Sequence, residues 1–92
     1  MNYKLEFSKE ADDQVEQWGK SGAKKDLEKI IALLKEIEEH PATGTGQVEQ
    51  LRYNLTSCWS RRINKQFRII YRIREESQTV EIISLRSHYG QK

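Results

Sequence analysis

A chain of 92 residues, 36% hydrophobic and 33% charged, supports one domain, residues 1–92, with one modest core to which a partner could add burial. Cys58 is the single cysteine, which excludes an internal disulfide and points to the cytoplasm, while no run approaches the length of a membrane span. The net charge of +2 conceals a division, because residues 1–46 carry seven basic and ten acidic side chains whereas residues 47–92 carry nine and four.

At the amino end, Tyr3, Leu5 and Phe7 alternate with Lys4 and Glu6, which predicts a short half-buried strand; the acids in "MNYKLEFSKEADD" argue against a secretory leader. Ser8 is placed to cap a helix, with Glu10, Asp12 and Asp13 at its positive end. Ala11, Val15 and Trp18 recur at helical spacing until "GKSG". A longer helix is predicted from Ala23 to Glu39, with Leu27, Ile30, Ile31, Leu34 and Ile37 in one stripe. His40-Pro41 ends it. The glycine passage "ATGTG" is too short for a phosphate-binding loop and lacks its lysine. Strands are then expected around Gln50–Asn54, Trp59–Ile63, Phe67–Ile73 and Val80–Ser87, with turns at "NLTS", "NKQ" and "REESQ". Asn54-Leu55-Thr56 matches a glycosylation acceptor that stays idle without secretion. The order of elements predicts an α+β fold, an N-terminal strand and two helices packed on a mainly antiparallel, twisted sheet.

Seven basic residues and no acid lie between Arg52 and Arg74. Such a run creates a local positive field on a nearly neutral chain, though a sheet face kept soluble by arginine would look the same. Along the Phe67–Ile73 strand, Phe67, Ile69, Tyr71 and Ile73 point one way and Arg68, Ile70 and Arg72 the other. The second face could line a groove for a phosphate-rich ligand. An exposed sheet face or a protein contact is the plainer reading.

His40 suits a helix end. His88 closes the last strand, two residues beyond Arg86, and histidine is the side chain whose proton moves near neutral pH. Glu49 is the only acid between Glu39 and Glu75. Cleavage of RNA by its own 2′-hydroxyl needs a base, a cation for the phosphoryl oxygens and an acid for the leaving 5′-oxygen. Glu49, Arg68 and His88 make a candidate set that requires no metal; a structural ion pair and a surface histidine are the alternatives. Scattered histidines and paired acids give no metal-ligand cluster, so no metal or other cofactor is expected. Tyr53, Trp59, Tyr71 and Tyr89 could stack on splayed bases, Tyr89 being best placed, while Trp59 and Tyr71 suit a core equally well.

The segments "GTGQVEQLRYNLTSCWSRRINKQFRIIYRI" and "LRSHY", joined to the helical first half, resemble the YoeB/Txe family of type II toxin–antitoxin systems, within the RelE-like superfamily of ribosome-dependent mRNA interferases. The resemblance implies a RelE-like microbial RNase fold. It places the family's catalytic glutamate on Glu49 in "QVEQL", its arginine on Arg68 in "QFRIIY", and its terminal pair on His88 and Tyr89. Adjacent arginines fall on Arg61 and Arg62, and Arg52 takes a basic position after the shared leucine. With Lys65, Arg72 and Arg86, these are the expected contacts to messenger and ribosomal phosphates. Also implied are cleavage of mRNA in the ribosomal A site, a cognate antitoxin protein that blocks the site, and a homodimer. The rival is a non-catalytic basic module that binds RNA or an acidic protein. Ser87 stands where many family members carry an aromatic, and Gly90, Gln91 and Lys92 extend beyond the usual end.

Overall fold

The computed structural model describes residues 2–51 and 58–88, with Ser87 and His88 described through their backbone. Seven elements follow one another: β1 (Lys4–Phe7), α1 (Lys9–Lys20), α2 (Lys24–Glu39), β2 (Glu49–Gln50), β3 (Cys58–Arg62), β4 (Phe67–Arg74) and β5 (Thr79–His88). The strands form one sheet in the order β1-β5-β4-β3-β2. Neighbours are antiparallel except β1, which runs parallel to β5 with Leu5 opposite Val80. The fold is thus the expected α+β arrangement.

Ser8 joins two of these elements. Its Oγ accepts from the Ala11 amide at 3.0 Å, capping α1, and donates to the Ile83 carbonyl of β5 at 2.8 Å. The chain therefore leaves β1 and enters α1 against the strand that β1 pairs with. α1 turns Ala11 and Trp18 inward; α2 contributes Ile30, Leu33 and Ile37. They meet Ile63, Ile69, Tyr71, Val80, Ile82 and Leu85 in one core. Burial of such aliphatic side chains, each worth about 1.5–3 kcal/mol, is the main favourable contribution. Trp18 is fixed at its polar atom as well, with Nε1 donating to the Leu85 carbonyl at 2.9 Å. Its ring meets Phe67 edge-on, centroids 5.5 Å apart.

α2 stops at Glu39, one residue before the His40-Pro41 pair, and the His40 amide closes the last turn onto the Glu36 carbonyl at 2.6 Å. The predicted Gln50–Asn54 strand is observed at Glu49–Gln50; its Arg52–Asn54 part lies outside the described residues. Irregular register between β4 and β5, at Arg68/Ile70 and Ile70/Tyr71, was not anticipated. Beyond the last pair of β5 with β1, at Ile82, α1 provides a partner: Gln14 Oε1 accepts from the Leu85 amide at 2.6 Å. No helix among the described residues is long and apolar enough to cross a membrane.

Candidate active site and basic sheet face

Pairing across the sheet sets which residues stand together. Glu49 lies opposite Ser60, and Arg62 lies opposite Arg68. Residues paired across antiparallel strands share a face, so Glu49, Ser60, Arg62 and Arg68 lie on the side away from the core. Arg68 Nη1 donates to Ser60 Oγ at 3.2 Å, which brings the guanidinium to the residue facing Glu49. Glu49 is exposed and Arg68 half-buried. On the other flank of Arg68, the register sets Ser87 opposite it and His88 opposite Phe67.

With strand order β5-β4-β3-β2, the backbones of Glu49 and His88 are three strands apart, about 14 Å across the sheet. They lie a further three residues apart along it, about 10 Å, because Glu49 aligns through Ser60 with Ile70 whereas His88 aligns with Phe67. Arg68 stands between them. Tyr53, Arg52 and Tyr89 fall outside the described residues. Lys65 is exposed in the turn between β3 and β4, and half-buried Arg62 donates from Nη1 to Gln47 Oε1 at 3.1 Å.

Three of the expected phosphate contacts have other surroundings. Arg72 lies opposite Cys58 and Glu81; its Nη1 is 3.6 Å from Glu81 Oε1, an oxygen that Arg74 Nη2 also binds at 2.9 Å. The Arg86 guanidinium lies 5.0 Å from the Trp18 ring centroid and 4.7 Å from that of Phe67, so it covers aromatic surface beside the core. Cation–π contact and packing of its stem account for that position.

Arg61 departs furthest from expectation, since it is fully buried. Alternation along β3 turns it with Trp59 and Ile63 toward the helices. Its Nε donates to Tyr71 Oη at 3.0 Å, Nη1 to Glu36 Oε1 at 2.9 Å, and Nη2 to the His40 and Thr43 carbonyls at 2.5 and 2.6 Å. Tyr71 Oη in turn donates to the Pro41 carbonyl at 2.6 Å. Burial pushes the Tyr71 phenol above its ordinary pKa, against the opposing pull of Arg61. It stays neutral and able to donate. The guanidinium thereby fastens the strap of residues 40–45 that leads into β2 and Glu49, on the face opposite Arg62 and Arg68.

Glu36 completes the fastening. It accepts from the Thr45 amide and hydroxyl, each at 2.9 Å. These two bonds are the main causes that hold its carboxyl below the ordinary range; partial burial opposes them, and the charge and hydrogen bond of Arg61 add a smaller downward pull. Sequence reading missed Glu36 and Tyr71 as polar partners. The signal available was the inward phase of Arg61 in a strand whose other inward residues are apolar.

A small RelE-like toxin fold carrying a basic outer sheet face is the class that this architecture defines. Residues 7–89 match the family model described as "YoeB-like toxin of bacterial type II toxin-antitoxin system". The chain belongs to that family and is a toxin of a type II toxin–antitoxin system. Toxin YoeB of Synechocystis is 42% identical over 72 residues, 78% of this chain and 81% of that one. A YoeB/ParE toxin from Agrobacterium tumefaciens superposes with a TM-score of 0.85 at 32% identity, covering 94% of this chain and 99% of its own. The heterotetrameric YoeB–YefM toxin–antitoxin complex from Staphylococcus aureus gives 0.78 at 33% identity, covering 97% and 100%.

Proposed function

We propose that this toxin is an endoribonuclease that cuts translated mRNA in the ribosomal A site by attack of the substrate's own 2′-hydroxyl. The observation that carries the reading is the grouping of a carboxylate and a guanidinium around Ser60, Glu49 by strand pairing and Arg68 by a 3.2 Å hydrogen bond. Glu49 takes the 2′-hydroxyl proton as the 2′-oxygen attacks phosphorus. Arg68 stabilises the added negative charge on the non-bridging oxygens, where positioned donors act most strongly. His88 protonates the 5′-oxygen as the phosphorus–oxygen bond breaks, leaving a 2′,3′-cyclic phosphate and a 5′-hydroxyl. Because the substrate supplies the nucleophile, the step needs no metal-bound water.

Three strand spacings separate the backbones of the base and the acid, and His88 pairs with Phe67, in the row that faces the core, whereas Ser87 pairs with Arg68. The reading therefore requires the end of β5 to turn toward Arg68 when a ribose–phosphate–ribose unit binds. Tyr89 stacks on a base beside the scissile linkage; Arg62 and Lys65 hold flanking phosphates, with Arg52 as a further contact. The physiological partner is a cognate antitoxin that blocks this site; the relative from Staphylococcus aureus forms a YoeB–YefM toxin–antitoxin complex.

Primer extension on translating ribosomes tests the reading. Wild type should create new codon-associated 5′ ends, and Glu49→Gln and His88→Ala should each slow their formation by about 10²–10⁴-fold. Undiminished cleavage by Glu49→Gln would remove the base assignment. Ribosome binding without any cuts by wild type would favour a non-catalytic RNA-binding module.

A further inference from the structure

An open pocket of about 360 Å³ lies where β3 passes beyond the end of β2, lined by Lys29, Gly46, Gln47, Arg62, Ile63, Asn64 and Lys65. Its cations come from three separate elements: Lys29 from α2, Arg62 from the end of β3, and Lys65 from the following turn. None of the lining residues is acidic. Asp26 stands nearby and accepts from Asn64 Nδ2 at 3.0 Å, while Asn64 Oδ1 accepts the Gln66 and Phe67 amides at 2.8 and 2.7 Å. Those bonds hold the turn, so the position of Lys65 is set by a braced loop.

The opposite wall is equally constrained. Gly46 has φ +87° and Gln47 φ +52°, and the Arg62 amide donates to the Gly46 carbonyl at 2.6 Å. A Cβ on Gly46 would meet Leu33 Cδ2 at 3.0 Å and the Arg62 carbonyl at 3.3 Å. The strap is therefore pressed against the sheet edge, and Gln47 meets Arg62 at the pocket rim. A volume at the small end of the range for ligand sites (about 300–1,000 Å³) suits a compact anion with adjoining sugar.

We infer that this pocket is a second phosphate site, which receives a phosphodiester of the bound RNA strand other than the one that reacts. It rests on the proposal that the outer sheet face carries RNA. Two features favour a nucleic-acid strand over an acidic peptide. Arg62 lies directly opposite Arg68, so the pocket is continuous with the guanidinium assigned to the reacting phosphate. Lys29 then carries the positive track around the sheet edge onto the helical side, the path of a polymer with a charge at every step. Lys29 is the residue that this assignment adds to the RNA-binding surface.

The test measures anisotropy of a labelled, fully 2′-O-methylated single-stranded RNA, which cannot be cleaved, over a series of salt concentrations. Lys29→Ala should lower affinity roughly threefold to tenfold and reduce the slope of log K against log salt by about 0.7, the value of one neutralised phosphate on a single strand. Lys29→Arg, which keeps the charge, should retain both. Lys20→Ala serves as the control, because Lys20 pairs with Glu16 on α1. Wild-type affinity and slope in Lys29→Ala would overturn the site, as would the absence of salt-dependent binding by wild type. A loss confined to a polyglutamate peptide probe would also overturn it. The catalytic reading fails separately: wild type that binds this RNA normally but cuts no message leaves the pocket standing without the chemistry.

Discussion

Gly44 has φ +124°, and a Cβ built there would lie 2.4 Å from Glu36 Oε1 and 2.8 Å from Arg61 Nη1. A side chain at this position makes Glu36 or the Arg61 guanidinium shift, and the positive φ strains the backbone as well. Gly44→Ala should cost about 1–3 kcal/mol of stability, read from the urea midpoint; an unchanged midpoint would mean that the strap relaxes freely. Glu36 gives a pH signature of the same clamp. Its carboxyl is held below the ordinary range chiefly by the two Thr45 bonds. The stabilisation is therefore complete above about pH 5 and disappears as pH falls through the depressed folded value. Stability curves of wild type and Glu36→Gln should differ at neutral pH and converge in acid. Parallel curves would show that the charge of Glu36 contributes nothing. Both substitutions also report on Glu49, because the strap they loosen leads into its strand.

Helix α1 does more than cover the sheet. Gln14 Nε2 donates to Glu10 Oε2 at 3.1 Å, which orients the amide so that Oε1 faces the irregular part of β5. There it accepts the Leu85 amide and the Ser84 hydroxyl, at 2.6 and 3.3 Å. A helix side chain thus supplies an acceptor to β5 where that strand runs on past its last pair with β1, Phe7 opposite Ile82. Gln14→Leu would keep the volume and leave the Leu85 amide without this acceptor, at a cost of about 1–3 kcal/mol. Exposed Gln17→Leu, one turn on, should stay within about 0.5 kcal/mol of wild type in the same denaturation experiment. Equal effects of the two would point to general helix changes and against the bridge. The bond lies where β5, whose carboxyl end bears His88, continues past β1.

For the molecule as a whole, net charge is a poor guide to RNA affinity. The total is +2, yet Lys29, Arg62 and Lys65 line one pocket and Arg68 lies opposite Arg62 on the neighbouring strand. If those four neutralise phosphates, the affinity of non-cleavable single-stranded RNA should fall with salt at a log–log slope of about −2 to −3. A slope near zero would detach the basic face from RNA altogether. The sequence alone determined the alternation that faces Ile69 and Tyr71 inward and Arg68 outward, the Ser8 cap, the His40-Pro41 stop and the residues that mark the family. Those features depend on local steric rules and short periods, which neighbouring residues carry between them. Only the tertiary structure decided that Arg61 is a buried clamp, that Arg86 lies over Trp18 and Phe67, and that β1 runs parallel to β5. It also brought Lys29 beside Arg62 and Arg68 beside Ser60. Each of these depends on which distant segments become neighbours, and that is fixed by closing one core around residues far apart in the chain.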